Sequence, residues 1–183
     1  MMKRLLIAAI LCGALAWPAG AKQDDERLEA LFDGLATAED PIAAKPFEAK
    51  IWQLWAESGS ATVELLMNSG MAATNAGEFD RARQIFDTVV MLAPDFAEGW
   101  NKRATMWFMA GDYPASVADI ERTLKLEPRH FGALSGLGMI MERIDNPGQA
   151  LKAWQRALAV HPHIHGARER VEALSRKVKG QGI

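Results

Sequence analysis

Three histidines near the end of the chain have the spacing that most suggests chemistry. His161, His163 and His165 alternate around Pro162. Imidazole is the commonest metal ligand in proteins, but a transition-metal site needs three or four ligands that converge on one point. Alternation in a turn does not by itself aim three rings at one point. We therefore expect exposed histidines and no metal, with a metal- or small-ligand-binding protein that uses this turn as the alternative hypothesis.

Signatures of catalytic sites are missing from the sequence. Neither G-x-S-x-G, H-E-x-x-H nor a P-loop occurs. Ser135 lies in the run Gly-Ala-Leu-Ser-Gly, one residue out of register for a nucleophile elbow. Acidic residues are scattered over the predicted helices and show no pairing suited to acid–base catalysis. We expect no catalytic residues, no cofactor and no enzymatic activity.

The composition is that of a folded globular protein. The 183 residues are 49% apolar and 24% charged, with 21 basic and 23 acidic side chains. Because neither sign of charge forms a block of five or more, the sequence shows no electrostatic footprint for nucleic acid. Beyond residue 21 no apolar run approaches membrane-spanning length, so we expect a mature chain that is not membrane-embedded.

The first 21 residues have the pattern of a secretory signal peptide. Two basic residues, Lys3 and Arg4, precede an apolar run from Leu5 to Trp17, which is shorter than the ~20 residues of a bilayer-spanning helix. The small residues Ala19-Gly20-Ala21 follow. We expect cleavage after Ala21, loss of the only cysteine, and a periplasmic or secreted mature chain. An uncleaved membrane anchor is the alternative.

A period of 34 residues runs through the rest of the chain. Prolines recur at this spacing, at Pro94, Pro128 and Pro162. The same spacing separates short breaks rich in turn-forming residues, which begin at Gly77, Gly111 and Asp145. Apolar residues at helical spacing lie between them. We predict antiparallel helix pairs with a turn at each break.

This pattern resembles the tetratricopeptide repeat family, whose 34-residue helix-turn-helix units have small residues at positions 8 and 20, aromatics at 11 and 24 and proline at 32. Three units fit this frame, at 63–96, 97–130 and 131–164. The residues that fit include Leu66, Gly70, Ala82, Phe86 and Pro94, then Trp100, Ala104, Trp107, Ser116 and Pro128, then Leu134, Gly138, Ala150, Trp154 and Pro162. The resemblance implies an all-α, right-handed solenoid.

The segments on either side of the repeats are less regular. We expect residues 22–62 to form a helical pair, which fits a degenerate fourth repeat, with a break from Pro41 to Pro46. Ser60 is a suitable N-cap for the first clear unit. Residues 165–183 have one apolar stripe among charged residues, which is typical of a helix that caps a solenoid.

The resemblance also implies a concave groove lined by the first helix of each unit, where positions 2, 5, 9 and 12 face the ligand. We predict that this groove binds a protein or peptide partner, with methionine and phenylalanine seating apolar side chains and Asn101 bonding a ligand backbone. The groove positions are Glu64, Met67, Met71, Asn75, Glu98, Asn101, Thr105, Phe108, Gly132, Ser135, Met139 and Glu142.

The sequence also bears on two other functions, a carboxylate clamp and self-assembly. The carboxylate clamp of chaperone-binding family members is not matched, because its places hold Met67, Met71, Gly132 and Gly136. A self-assembling module that buries Trp52 in a homodimer is a third functional alternative to the adaptor.

Arg103 stands where the family prefers leucine. Its guanidinium must find a carboxylate or reach water, and Asp119 or Glu98 could pair with it. We expect the side chain to reach the surface, with an anion-binding ledge beside Lys102 as the functional alternative.

Overall fold

The computed structural model describes residues 26–180, so the expected signal peptide and the last three residues lie outside the described residues. Residues 26–180 form nine helices and no strand. No helix within this range is both long enough and apolar enough to cross a membrane. The helices are α1 Glu26–Thr37, α2 Pro41–Ala56, α3 Ala61–Asn75, α4 Phe79–Leu92, α5 Ala97–Ala110, α6 Tyr113–Leu126, α7 Phe131–Arg143, α8 Pro147–Val160 and α9 Ala167–Gly180.

The turn inside each repeat unit begins with a residue in the left-handed backbone region. Gly77 and Gly111 have φ of +73° and +82°, and Asp145 has φ of +54° at the matching position of the third unit. Glycine adopts this conformation without steric cost, and aspartate is one of the few other residues that tolerate it. The breaks predicted from the 34-residue period are therefore confirmed as the turns that separate α3 from α4, α5 from α6 and α7 from α8.

Small residues at position 8 of a unit allow its two helices to approach closely. A Cβ atom added to Gly70 would lie 2.8 Å from Cζ of Phe86, and one added to Gly138 would lie 2.6 Å from Nε1 of Trp154. Each glycine thus accommodates the aromatic ring at position 24 of its own unit. This contact explains in physical terms why the two residue classes recur together in the sequence.

The Arg103 side chain holds three helices together. Its Nε and Nη2 donate to the carboxylate of Asp119 at 2.8 Å each, and its Nη1 donates to Asp87 at 2.8 Å. The hydrogen bond with Asp119, with the charges of both carboxylates, raises the pKa of Arg103 against the opposing effect of burial. Asp119 is confirmed as a partner. The side chain reaches the surface only in part, since 17% of it is exposed, and each of its three nitrogen atoms donates to one of these carboxylates.

The break between α1 and α2 is shorter than predicted. Asp40 caps α2 by accepting hydrogen bonds from the backbone N–H groups of Ile42 and Ala43, both at 2.8 Å. Pro41 is the first helical residue, where a missing N–H costs nothing, and Pro46 lies inside the helix. The predicted break from Pro41 to Pro46 is therefore wrong.

The hairpin of α1 and α2, called the N-terminal pair below, does not continue the repeat stack. Its main contacts join α2 to α5 and α1 to α8. Its core consists of apolar residues that pack with Phe131 at the start of α7 and with Val160 and Ile164 after it, namely Leu28, Phe32, Leu35, Ala44, Ile51, Leu54 and Trp55. The N-terminal pair therefore contacts the third unit. A repeat stacked before the first unit would instead pack mainly against that first unit.

At the opposite end, α9 packs against α8. Ala167 and Leu174 are buried in a core shared with Leu134, Trp154 and other residues of the third unit. The N-cap predicted at Ser60 is confirmed, since its hydroxyl accepts from the backbone N–H of Val63.

Replacing Arg103 with methionine is expected to lower the free energy of unfolding by about 3 kcal/mol, because it leaves the buried Asp119 carboxylate without a partner. The matched control is Arg81→Met, which removes an exposed ion pair with Glu78 and should cost less than about 1 kcal/mol. Urea unfolding measures both. Equal losses in the two variants would contradict this account of the Arg103 network.

Candidate partner-binding groove

The first helices of the three units form one continuous surface. Helix α3 contacts α5, and α5 contacts α7. The surface of α3, α5 and α7 that faces the N-terminal pair is called the inner face below, and it carries the groove positions predicted from the repeat frame. The N-terminal pair divides this face into a covered part and an open part.

Two tryptophans of α2 cover the start of α7. The Trp55 ring stacks on the His130 ring with centroids 4.1 Å apart and an angle of 9°, and Trp55 is only 3% exposed. Trp52 lies against Gly132, where an added Cβ would be 2.6 Å from the indole. The Trp52 ring also meets Phe131 edge-on at 5.2 Å. Trp52 is thus half-buried within the chain, so it offers less surface to a homodimer than the homodimer hypothesis expects.

A buried polar cluster lies under these tryptophans. Glu98 accepts from Lys102 Nζ at 2.7 Å and from Asn101 Nδ2 at 2.9 Å, and its Oε2 lies 3.0 Å from His130 Nε2. His130 Nδ1 accepts from the backbone N–H of Ala133, so Nε2 carries the proton and donates to Glu98. Both Glu98 and Asn101 are buried, and the Asn101 amide predicted to bond a ligand backbone is bonded to Glu98 instead.

The electrostatics of this cluster favour an ionised Glu98. Burial raises the pKa of the carboxyl, but its interaction with His130, together with the charge and hydrogen bond of Lys102, outweighs burial and lowers the pKa. The cluster therefore holds a buried carboxylate with neighbours that satisfy it. It works as a structural junction between α2, α5 and α7.

A cleft of about 420 Å³ belongs to the cap region and not to the inner face. It lies between the end of α7, the start of α8 and α9, and its walls include Asp145, Arg170 and Lys177. None of the predicted groove positions except Glu142 lines it.

The predicted groove residues of the first unit lie in a cleft between α2 and α3. Glu64, Met67 and Met71 line this cleft of about 350 Å³, with Lys102 on its α5 side. Glu64 accepts hydrogen bonds from the backbone N–H and the hydroxyl of Ser58. Asn75, the last residue of α3, is exposed and lies outside the cleft.

The histidine turn borders a separate groove of about 680 Å³, which Ser135 also lines. His161 is buried with Nε2 3.5 Å from Glu48, whereas His163 donates from Nε2 to the carbonyl oxygen of Ala38 at 2.8 Å. Burial lowers the pKa of His161, although the Glu48 carboxylate opposes the shift. The rings therefore have different partners. Across residues 26–180 no group of three or more His, Cys, Asp or Glu side chains could hold a metal ion.

The open part of the inner face lies between α5 and α7, around Phe108 and Met139. Thr105, Phe108 and Met139 line a cavity of about 90 Å³, floored by residues such as Ala104 and Gly136. Phe108 and Met139 also line an adjoining cavity of about 230 Å³, whose other walls are Glu142, Arg143 and Arg170. The predicted groove residues that line the smaller cavity are Asn101, Thr105, Phe108, Gly132 and Met139. Phe108 and Met139 also line the adjoining cavity, together with Glu142.

Sequence reasoning missed the two arginines of this open part. Arg143 is the last residue of α7, one position after Glu142 in the repeat frame, so its place beside the predicted groove position could have suggested it. Arg170 comes from α9, which has no position in the 34-residue period. Only the packing of α9 on the third unit brings it to the groove.

Comparisons with known proteins agree with this architecture. Residues 67–128 and 110–159 match the tetratricopeptide repeat profile. A TPR repeat-containing protein of Rhizobium etli is 41% identical over 155 residues, which is 85% of this chain and 76% of that protein.

Two solved structures share the fold at low sequence identity. The first TPR domain of RPAP3 (Spaghetti), bound to an HSP90 peptide, has 18% identity and a TM-score of 0.60, over 64% of this chain and 93% of that one. The type III secretion chaperone SycD of Yersinia enterocolitica, in complex with a peptide of the translocator YopD, has 12% identity and a TM-score of 0.60, over 64% of this chain and 95% of that one.

The buried Glu98 predicts an acid-dependent loss of stability. Its folded-state pKa lies below the ordinary value for a glutamate, so the unfolded state binds the proton more readily. The contribution of Glu98 is fully present above the unfolded-state pKa and is lost as pH falls through the folded-state pKa. We expect the stability difference between the parent and Glu98→Gln to shrink below about pH 4.5 in urea unfolding. The exposed Glu169→Gln is the control, and parallel curves for the parent and Glu98→Gln would contradict the prediction.

Proposed function

The chain belongs to the tetratricopeptide repeat family, and from this premise we propose that it is an adaptor or scaffold that binds a protein or peptide partner in the open part of its inner face. The observation that carries the proposal is that the half-buried Phe108 and the exposed Met139 line two adjoining cavities between α5 and α7. These cavities combine apolar walls with a few polar groups, which is the usual composition of a binding site.

The side chains of the open part suit a partner with an apolar anchor. Phenylalanine offers a large flat contact surface, and methionine adapts its shape because its side chain is unbranched and flexible. Burying one apolar side chain of a partner there contributes roughly 1.5–3 kcal/mol. Thr105 adds a hydroxyl at the edge of the same cavity.

The bound peptides of RPAP3 and SycD support a peptide or protein partner by analogy. The chemistry of recognition must differ from that of a carboxylate clamp. The positions that form this clamp in chaperone-binding family members are occupied here by Met67, Met71, Gly132 and Gly136. The Trp52 ring lies against Gly132.

Neither alternative function gains support from the geometry. A metal site in the histidine turn would need converging rings, whereas His161 and His163 have separate partners in Glu48 and Ala38. We propose that the protein performs no chemistry itself, in keeping with a groove whose polar groups are few and without the arrangement of a nucleophile and its base.

We also propose that the protein acts in the periplasm or outside the cell. The support is the signal-like pattern of Lys3-Arg4, the apolar run from Leu5 to Trp17 and the small residues that end at Ala21. Cell fractionation with amino-terminal sequencing tests it. A periplasmic or secreted chain that starts at Lys22 is the expected result, and a cytoplasmic chain that retains Lys3 would refute this location.

The binding site is tested by photo-crosslinking from defined positions. A photoreactive amino acid at Met139 should crosslink a partner in extracts of the native cell, and the same group at Met91, which is 70% exposed on α4, should not capture that partner. Adding Phe108→Glu should abolish the Met139 crosslink, because it places a charge in the apolar cavity. Met91→Glu is the control for the added charge. Capture of the same partner from both positions would reject the groove as its site.

A further inference from the structure

Resting on the proposed function, we propose that the open part of the inner face selects a partner segment in which an acidic residue follows a bulky apolar residue. The apolar side chain enters the cavity between Phe108 and Met139. The carboxylate then pairs with the Arg143 guanidinium at the rim. The occupant is thus a segment of another protein with a local apolar–acidic pair.

The carboxylate that already lines this cavity cannot serve Arg143. Glu142 accepts from Trp154 Nε1 at 2.6 Å and from Arg170 Nη1 at 3.0 and 3.1 Å. Both of its oxygens are therefore used, and its charge is balanced by Arg170. Glu142 and Arg170 thus form an ion pair without net charge on this side of the cavity. The hydrogen bond to Trp154, which is part of the third-unit core, fixes the position of Glu142.

In the part of the chain that the structure describes, Arg143 lines the larger of the two cavities and has no carboxylate partner. Its guanidinium carbon lies 5.9 Å from the centre of the Phe108 ring, and within residues 26–180 it forms no ion pair, whereas Arg170 pairs with Glu142. A guanidinium held beside an aromatic face is oriented for a planar carboxylate, which it can bind through two parallel hydrogen bonds. An acidic group on the partner is the complementary charge.

The distances fit neighbouring residues of an extended segment. An extended chain rises about 3.3 Å per residue, so the 5.9 Å between the Phe108 ring and the guanidinium corresponds to one or two residues. The cavity floor is open because Gly136 has no side chain, and a Cβ there would meet only Ile120, at 3.5 Å. An apolar side chain can therefore enter beside Phe108 while the next residue or the one after it reaches Arg143.

Selection from a random octapeptide library displayed on phage tests this specificity. Each peptide is fused to the phage protein at its carboxyl end, so no free terminal carboxylate can mimic an acidic side chain. Against the parent protein, bound peptides should be enriched in Asp or Glu one or two positions after Leu, Ile, Met or Phe. Against Arg143→Glu, the acidic preference should disappear and Lys or Arg should replace it. A synthetic peptide with the selected pair should bind the parent about tenfold more tightly than its Asp→Asn counterpart.

Two variants keep the result interpretable. Arg156→Glu makes the same charge change at an exposed site on α8 and should retain the acidic preference, with equal circular dichroism confirming that both variants fold. Gly136→Leu fills the floor of the cavity and should abolish selection altogether.

The outcomes separate this proposal from the function on which it rests. Peptides that compete with the Met139 crosslink but show no acidic preference would overturn the Arg143 proposal alone. Failure of both the selection and the crosslink would overturn both. A dimer in sedimentation that dissociates in Arg143→Glu but not in Arg156→Glu would show that a second copy occupies the cavity, which also overturns the proposal.

Discussion

The hydrogen bond between Glu98 and His130 is the contact on which the shape of the binding surface depends. Glu98 is the second residue of α5, and His130 is the N-cap of α7. The same His130 ring stacks on Trp55 of α2. One buried pair therefore joins two repeat units to the N-terminal pair. Both groups are buried, so losing this hydrogen bond would leave a buried polar group without a partner at a cost of about 1–3 kcal/mol, and the three helices are constrained together.

This junction determines which half of the inner face is available. A solenoid of three stacked units would present its whole concave surface to a ligand. Here α2 lies over the amino-terminal ends of α5 and α7, where Trp52 contacts Gly132 and Lys102. Between α5 and α7, the surface around Phe108 and Met139 stays open. Specificity then depends on few side chains, chiefly Phe108, Met139 and Arg143.

The periodic features could be predicted from the sequence because they repeat. Turns at Gly77, Gly111 and Asp145 follow from residue types that accept a left-handed backbone. The position of the N-terminal pair could not, because the contact of Trp52 with Gly132 joins residues 80 positions apart and does not follow the 34-residue period. The repeat frame likewise predicted Phe108 and Met139 as groove residues, but nothing in it indicated that Glu98 and Asn101 would be buried and bonded to each other.

The account claims that a partner binds the open part of the inner face while α2 stays in place. Hydrogen–deuterium exchange on the free protein and on its complex with the captured partner measures both at once. The account predicts slower exchange in the carboxyl-terminal halves of α5 and α7 upon binding, with the exchange of residues 51–56 of α2 unchanged. Faster exchange in α2 together with slower exchange around Glu98 and His130 would contradict it, because the partner would then have displaced the N-terminal pair.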